Sequence, residues 1–292
     1  MPFVNSNGVK LYYEEAGKGV PIVFVHEFSG DLWSWEAQLR HFSRRYRCVA
    51  FNARGYPPSE VPASVSKYSW KLAIGDIANL MRRLGMGKAH VVGCSMGAYS
   101  TLQFGLNYPQ RALSLTVIGA GAGADPAKRA EWRKASAASA RRFEEGGLAA
   151  AAKTYRNAAN RIQLDNKDPR SFREFFSRFA EHSAQGHANT IRGVQMRRPP
   201  LQGMQAQFSR LKPPTLAMVG DEDESSLDTG LFLKRASPSV RLAIVPATGH
   251  LVNMEEPELF NELTGNFLNL VDTGRWRPRD PRSYNLSTMA RK

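Results

Sequence analysis

One stretch restricts the folds open to this chain more than any other: residues 91–97, with the sequence VVGCSMG. The residues from Ala89 to Val92 predict a short buried strand, and apolar side chains at helical spacing follow the second glycine. A strand that turns into a helix within a few residues forces its turning residue to a positive φ, and flanking glycines allow close backbone approach. The pattern therefore raises the Ser95 hydroxyl above a sheet edge, where a helix N-terminus favours negative charge.

Two further predicted strands end in residues that could assist a serine nucleophile. Residues 214–220 predict a buried strand that runs into the acidic segment 221–224, and residues 241–246 predict another that is followed closely by His250. A serine hydroxyl needs a base to take its proton, and the base needs a carboxylate to hold its tautomer. Because parallel strands end at one edge of a sheet, we expect Ser95, an aspartate and His250 to converge there.

With these residues in place, the sequence resembles the α/β-hydrolase superfamily from about Phe3 to Leu270. The resemblance rests on residues 25–28 (VHEF), 52–55 (NARG), 93–97 (GCSMG), 220–223 (GDED), 249–250 (GH) and 256–257 (EP). It implies an α/β fold, a mostly parallel central sheet with helices on both faces and an inserted helical cap. It also implies a serine hydrolase with Ser95 as nucleophile, His250 as general base and Asp223 as orienting acid. The fold also has non-hydrolytic members, so the resemblance leaves the reaction open.

The acid and the nucleophile each have an alternative. Asp221 also follows the predicted strand, but the family prefers the acid at the third residue after the glycine, which favours Asp223 over Asp221. A serine rather than an aspartate at position 95 argues against the haloalkane dehalogenase and epoxide hydrolase relatives. Those enzymes need a carboxylate nucleophile to form an alkyl-enzyme ester.

The loop after the predicted strand at residues 21–25 departs from the family pattern. In the family this loop supplies one backbone N–H to the oxyanion hole, here that of Phe28, and the second comes from Met96. Glu27 stands where the family has glycine, and a carboxylate there would oppose the negative charge of the transition state. We predict either that Glu27 pairs with Arg54 and stiffens the loop, or that Glu27 faces solvent.

Composition changes between residues 125 and 207, where alanine, arginine and glutamate dominate and the strand pattern disappears. Several helices are predicted there, one of them starting at Asp168. The chain is thus expected to have an α/β-hydrolase core (residues 1–124 and 208–270), a helical cap insertion (125–207) and a basic C-terminal tail (271–292). Five aromatic residues are expected to form the core of the cap: Tyr155, Phe172, Phe175, Phe176 and Phe179.

The formal net charge is +14, from 40 basic and 26 acidic residues. The excess lies largely in the predicted cap and the tail, without a nucleic-acid-binding motif or an aromatic platform, which disfavours nucleic-acid binding. Arg192, Arg197 and Arg198 are candidates to meet a carboxylate substrate or, alternatively, form a solvated basic face.

No cofactor is predicted. No metal site is predicted either, because His182 and His187 have no partner at metal-ligand spacing. His26 is interpreted as a structural loop residue. Cys48 and Cys94, the two cysteines, are expected to be small buried residues of a reducing compartment. The sequence has no apolar run of about 18 residues and no secretory-signal pattern, so we expect a cytoplasmic protein without a membrane span. The oligomeric state stays open.

The predicted function is hydrolysis of a small-molecule ester or lactone, neutral or anionic, through an acyl-enzyme on Ser95. Two alternatives remain at this stage. The same triad could hydrolyse a carbon–carbon bond in a β-diketone or ring-fission product, or the fold could be a non-catalytic ligand-binding module. Specificity depends on how the predicted cap packs, which the sequence does not determine.

Overall fold

A computed structural model describes residues 2–284, and a single eight-stranded sheet forms its centre. The strands are β1 (Phe3–Ser6), β2 (Val9–Ala16), β3 (Val20–Val25), β4 (Tyr46–Phe51), β5 (Ala89–Cys94), β6 (Ala112–Ile118), β7 (Thr215–Gly220) and β8 (Val240–Val245). Their order across the sheet is β1-β2-β4-β3-β5-β6-β7-β8. β2 pairs antiparallel with β1 and with β4, and all the other pairs are parallel. The predicted mostly parallel sheet is confirmed.

Helices cover both faces of this sheet. The α-helices of the described residues are α1 (Glu36–Phe42), α2 (Trp70–Arg83), α3 (Met96–Asn107), α4 (Arg129–Arg156), α5 (Ile162–Lys167), α6 (Pro169–Phe179), α7 (Ala184–Thr190), α8 (Gln205–Phe208), α9 (Glu224–Ala236), α10 (Val252–Glu255) and α11 (Pro257–Asp272). Successive side chains of a strand point to opposite faces. Accordingly, Ile22 and Phe24 of β3 share a core with α1 and α11, whereas Val23 and Val25 share a second core with α2 and α3. A strand buried on both faces explains the continuous apolar run of β3.

The segment between β6 and β7 contains helices α4–α8 and no strand; we call it the helical insertion. Helix α4 is interrupted at Gly147, whose φ of 63° breaks the helical geometry. The predicted start at Asp168 is confirmed, since its side chain accepts a hydrogen bond from the Ser171 N–H at the N-terminus of α6. The aromatic side chains of α6 are buried together with Phe143 of α4, as expected for an internal core. The boundaries at residues 125 and 207 stay a prediction.

The C-terminal region differs from its prediction in one respect. Helix α11 continues to Asp272, two residues into the predicted tail of 271–292, and residues 285–292 lie outside the described residues. The two cysteines, Cys48 in β4 and Cys94 in β5, are free and buried, as predicted. Within residues 2–284, no helix has both the length and the apolar character needed to cross a bilayer.

The contact between β3 and the start of α3 is very close, and this closeness gives a stability prediction. A Cβ atom at Gly97 would overlap the carbonyl oxygen of Val25 and lie 2.7 Å from the carbonyl oxygen of His26. Both obstacles are backbone atoms, so Gly97→Ala is expected to lower the free energy of unfolding by about 3 kcal/mol, as severe overpacking does. Gly87→Ala is the matched control, because nothing lies within 4 Å of a Cβ at that position. Urea denaturation measures both variants, and equal midpoints would contradict the prediction.

Candidate active site

Ser95 is the single residue between the end of β5 and the start of α3. Its backbone has φ 53° and ψ −108°, and its N–H donates a hydrogen bond of 2.7 Å to the carbonyl oxygen of Ile118. The predicted positive φ is therefore present. A non-glycine residue in such a conformation stores about 1–3 kcal/mol of strain, a feature that clusters at functional sites.

Two other side chains from neighbouring strand ends meet beside this turn. Asp223 follows β7 at the start of α9, His250 follows β8, and His250 Nδ1 lies 2.5 Å from Asp223 Oδ2. Both side chains are buried. Asp221 is engaged elsewhere, because its Oδ1 accepts a hydrogen bond from the Thr248 N–H at 3.1 Å. The structure thus places Asp223, and not Asp221, against the imidazole.

The protonation of this pair follows from burial and charge together. Burial alone would lower the pKa of His250, but the charge of Asp223 and its hydrogen bond outweigh burial, so the pKa of His250 is raised above its ordinary value. Burial opposes the charged form of Asp223 as well, yet the imidazole holds the pKa of that carboxyl below its ordinary value. The geometry therefore stabilises an imidazolium next to a carboxylate, which a general base needs after it has taken a proton.

A cavity of about 350 Å³ brings Ser95 and His250 together between the sheet edge and the helical insertion. The Ser95 hydroxyl and the His250 ring both line this cavity, and no hydrogen bond joins them within residues 2–284. Such bonds are often long or misaligned before substrate binds. A second cavity, of about 380 Å³, lies between α1 and α6 and includes neither residue.

The two predicted oxyanion donors lie at this cavity or beside it. Phe28 lines its wall, and Met96 is the first residue of α3, where a backbone N–H has no acceptor within the helix. Across residues 2–284 neither N–H has a protein acceptor. The Phe28 carbonyl accepts a hydrogen bond of 2.8 Å from the Tyr56 hydroxyl, which holds the loop in place.

The predicted pairing of Glu27 with Arg54 is wrong. Arg54 binds Asp76 of α2 through two nitrogens, at 2.8 and 2.7 Å, and both side chains are buried. The Ser6 hydroxyl donates a third hydrogen bond to Asp76, at 2.6 Å. A bidentate guanidinium–carboxylate pair satisfies Arg54 where it enters the core, which leaves it unavailable to Glu27.

The alternative prediction, a solvated Glu27, is wrong as well, because only 2% of Glu27 is exposed. Its carboxylate accepts hydrogen bonds from the Ser29 N–H at 2.8 Å and from Arg161 Nη2 at 3.2 Å to each oxygen. Arg161 lies in a short 3-10 helix, Ala159–Arg161, of the helical insertion, with its guanidinium 5.1 Å from the ring centre of Phe175. The charge of Glu27 is thus compensated by an arginine that the sequence analysis did not single out.

The same short helix also contacts the loop that holds His250. The carbonyl oxygen of Asn160 accepts a hydrogen bond of 2.9 Å from the His250 N–H. Further along, Gln163 donates to Glu222, and Lys167 forms an ion pair with Glu256. The helical insertion therefore helps to position the backbone of His250.

Other singled-out side chains have structural surroundings. His26 Nδ1 lies 2.7 Å from its neighbour's carbonyl oxygen, and Nε2 accepts the Ala53 N–H at 3.0 Å, which confirms a structural loop residue. His182 and His187 lie ring to ring, 3.0 Å apart at their nearest nitrogens. No group of three or more potential metal ligands occurs within residues 2–284.

Three arginines were expected to meet a carboxylate substrate or to form a solvated face: Arg192, Arg197 and Arg198. None of them lines the cavity that contains Ser95. Arg192 forms a partly exposed ion pair with Glu144. Arg198 is buried over the ring of Tyr99, so neither expectation holds for it.

Comparison with known proteins extends these observations. Residues 20–257 match the model of a family described by the alpha/beta hydrolase fold. The chain belongs to the α/β-hydrolase family. Epoxide hydrolase 3 of Mus musculus is 36% identical over 111 residues, which are 37% of this chain and 30% of that protein. The 3-oxoadipate enol-lactonase 1 of Acinetobacter baylyi is 25% identical over 252 residues, which are 86% of this chain and 89% of that protein.

Solved structures agree with this α/β-hydrolase membership. A thermophilic esterase from Thermogutta terrifontis superimposes with a TM-score of 0.81 at 24% identity, covering 92% of this chain and 97% of that one. At that identity the likeness concerns the fold. Together with the family match, these relatives support a hydrolase of the α/β-hydrolase family.

Proposed function

We propose that the protein is a serine hydrolase that cleaves a small-molecule ester or lactone through an acyl-enzyme on Ser95. The observation that supports it most is the hydrogen bond between Asp223 and His250, whose imidazole lines the same cavity as the strained Ser95. A nucleophile, a base and an orienting acid at adjacent strand ends are the arrangement that acyl transfer needs.

In the proposed mechanism, Ser95 Oγ attacks the carbonyl carbon of the substrate while His250 Nε2 takes the hydroxyl proton. Nε2 is the nitrogen left for this task, since Nδ1 is engaged by Asp223. The tetrahedral intermediate collapses when His250 returns the proton to the leaving oxygen. Water then attacks the acyl-enzyme, again with His250 as base, and releases the acid and a free Ser95 hydroxyl.

The backbone N–H groups of Phe28 and Met96 would stabilise the oxyanion in both steps. Removing one such donor in other enzymes lowers turnover by about 100- to 1000-fold. Glu27 lies one residue from this oxyanion site, and its ion pair with Arg161 offsets the negative charge it would otherwise direct at the intermediate.

The substrate class follows from the nucleophile and the relatives. A serine nucleophile at position 95 forms an acyl-enzyme, as ester and lactone hydrolysis requires. The epoxide hydrolase relative matches this chain over only 30% of its own length. One of the relatives that match most of both chains acts, by its name, on an enol-lactone. Both observations favour an ester or lactone.

Labelling with a fluorophosphonate probe tests the proposal. We expect the wild-type protein to be labelled rapidly at Ser95, as mapped by peptide mass spectrometry, and Ser95→Ala to remain unlabelled. A panel of 4-nitrophenyl esters, lactones and ring-fission diketones would then rank the reactions. Turnover of diketones alone, or no labelling and no turnover of any compound, would contradict the ester or lactone assignment.

The raised pKa of His250 gives a pH prediction. His250 must be neutral to act as a base, so kcat/KM should be constant at high pH and fall as pH decreases through the pKa. Because Asp223 raises that pKa above the ordinary 6.5, the decrease should be centred above pH 6.5. Measuring kcat/KM from about pH 5 to pH 9 reports this group in the free enzyme. A decrease centred below pH 6.5 would contradict the prediction.

A further inference from the structure

Arg161 uses only part of its guanidinium within the protein. Nη2 contacts both oxygens of Glu27 and the Ser29 hydroxyl, all at 3.2 Å. Nη1 is buried, and no acceptor among residues 2–284 contacts it. The whole residue is only 4% exposed. A buried guanidinium nitrogen without an acceptor is unfavourable, and a ligand oxygen would relieve it.

The location of Arg161 indicates what kind of ligand could supply this oxygen. Arg161 lines the same cavity of about 350 Å³ as Ser95 and His250, which is large enough for a small organic molecule. The other charged side chains of the lining, apart from the imidazole, are Glu27 and Arg142. Two arginines face one glutamate, so the wall has an excess of one positive charge before a ligand enters.

We propose that Arg161 is a specificity residue that binds the carboxylate of a monoanionic ester or lactone through Nη1. This inference rests on the proposed function, because it names the substrate class of the same site. A planar guanidinium can serve two carboxylates at once, here Glu27 through Nη2 and the substrate through Nη1. A monoanion balances the excess charge of the wall, whereas a dianion would leave one negative charge uncompensated next to Glu27.

The test compares pairs of methyl esters with acyl chains of equal length that end in a carboxylate in one series and in a methyl group in the other. The anionic series is monomethyl succinate, glutarate and adipate, and the neutral series is methyl butyrate, pentanoate and hexanoate. The measured quantity is the ratio of kcat/KM for each anionic ester to that of its neutral partner. A general loss of activity lowers kcat/KM for both esters of a pair, so it does not change their ratio. We expect at least one pair to give the wild type a ratio above about tenfold, as one charged hydrogen bond provides.

The decisive variant is Glu27→Gln/Arg161→Met, which removes both charges. Arg161→Met alone would leave Glu27 buried without a partner and perturb the oxyanion loop for every substrate. In the double variant we expect the ratio to fall by about tenfold or more. Arg170→Gln is the matched control: it removes an exposed arginine of α6 that pairs with Glu174, and the ratio should stay at the wild-type value.

The outcomes separate this inference from the proposed function. Ser95-dependent hydrolysis of neutral esters, with no anionic preference in the wild type or an unchanged ratio in the double variant, would overturn the role of Arg161 alone. No Ser95-dependent hydrolysis of either series would overturn the proposed function itself. If the double variant does not fold, Arg161→Lys keeps a cation next to Glu27 but loses the second nitrogen. Its ratio should then fall at least about threefold, and an unchanged ratio would overturn the assignment.

Discussion

Replacing Ser95 with alanine is expected to lower kcat for the best ester or lactone of the panel by about 10⁶-fold, as removing the nucleophile does in serine hydrolases. The physical reason is that Ser95, the single residue between β5 and α3, carries the only hydroxyl that the proposed mechanism uses as a nucleophile. Ser100→Ala, one turn further along α3, is the control, because the Ser100 hydroxyl donates to the Met96 carbonyl and does not line the cavity. Its kcat should stay within a few-fold of the wild type. Loss of activity in both variants to the same degree would argue against Ser95 as the nucleophile.

The positive φ of Ser95 also gives a stability prediction, which would not apply to a serine in an ordinary backbone conformation. Ser95→Gly relieves a positive φ that stores about 1–3 kcal/mol, against a backbone-entropy cost of about 0.5–1 kcal/mol for glycine. We therefore expect the free energy of unfolding of Ser95→Gly to exceed that of Ser95→Ala by about 1 kcal/mol, measured as a higher midpoint in urea denaturation. Both variants should be inactive. Equal stability of the two would show that Ser95 is unstrained in solution.

Asp223→Asn is expected to lower kcat by about 10⁴-fold. The amide would present its NH₂ group or a weaker acceptor to His250 Nδ1, so the imidazole would lose the tautomer that leaves Nε2 free to accept a proton. Asp221→Asn is the matched control two residues earlier, since the Asp221 side chain accepts the Thr248 N–H and, within residues 2–284, makes no hydrogen bond to the imidazole. Steady-state kinetics with one ester measures both. A full loss in Asp221→Asn with activity retained in Asp223→Asn would reverse the assignment.

Local pattern and chain order predict much of the site. The strain at Ser95 follows from a strand and a helix joined by one residue, and glycine spacing alone indicates that junction. Asp223 and His250 each follow a buried apolar run, and parallel strands bring such ends together. The choice of Asp223 over Asp221 comes from the family's preference for an acid at the third residue after the glycine, and the observed 2.5 Å contact to His250 agrees with that choice.

The partner of Glu27 could not be predicted in the same way. Arg54 is the nearest arginine at the end of a neighbouring strand, but Asp76 of α2 binds it. The sequence around Asp76 does not indicate that this position of the helix contacts the loop of Arg54. Arg161 is 134 residues away from Glu27 along the chain. Its contact depends on how the helical insertion packs on the sheet edge, which alanine-rich helices leave undetermined in sequence. The free Nη1 is likewise a property of that packing.

The hydrogen bond from the His250 N–H to the Asn160 carbonyl ties the backbone of the proposed base to the helical insertion. If the insertion swings outward to admit a molecule, the backbone of the base loses a tether at the same moment. A chimera that exchanges the insertion for that of a relative must provide a carbonyl at this point, even though the side chains of Ser95, Asp223 and His250 stay unchanged.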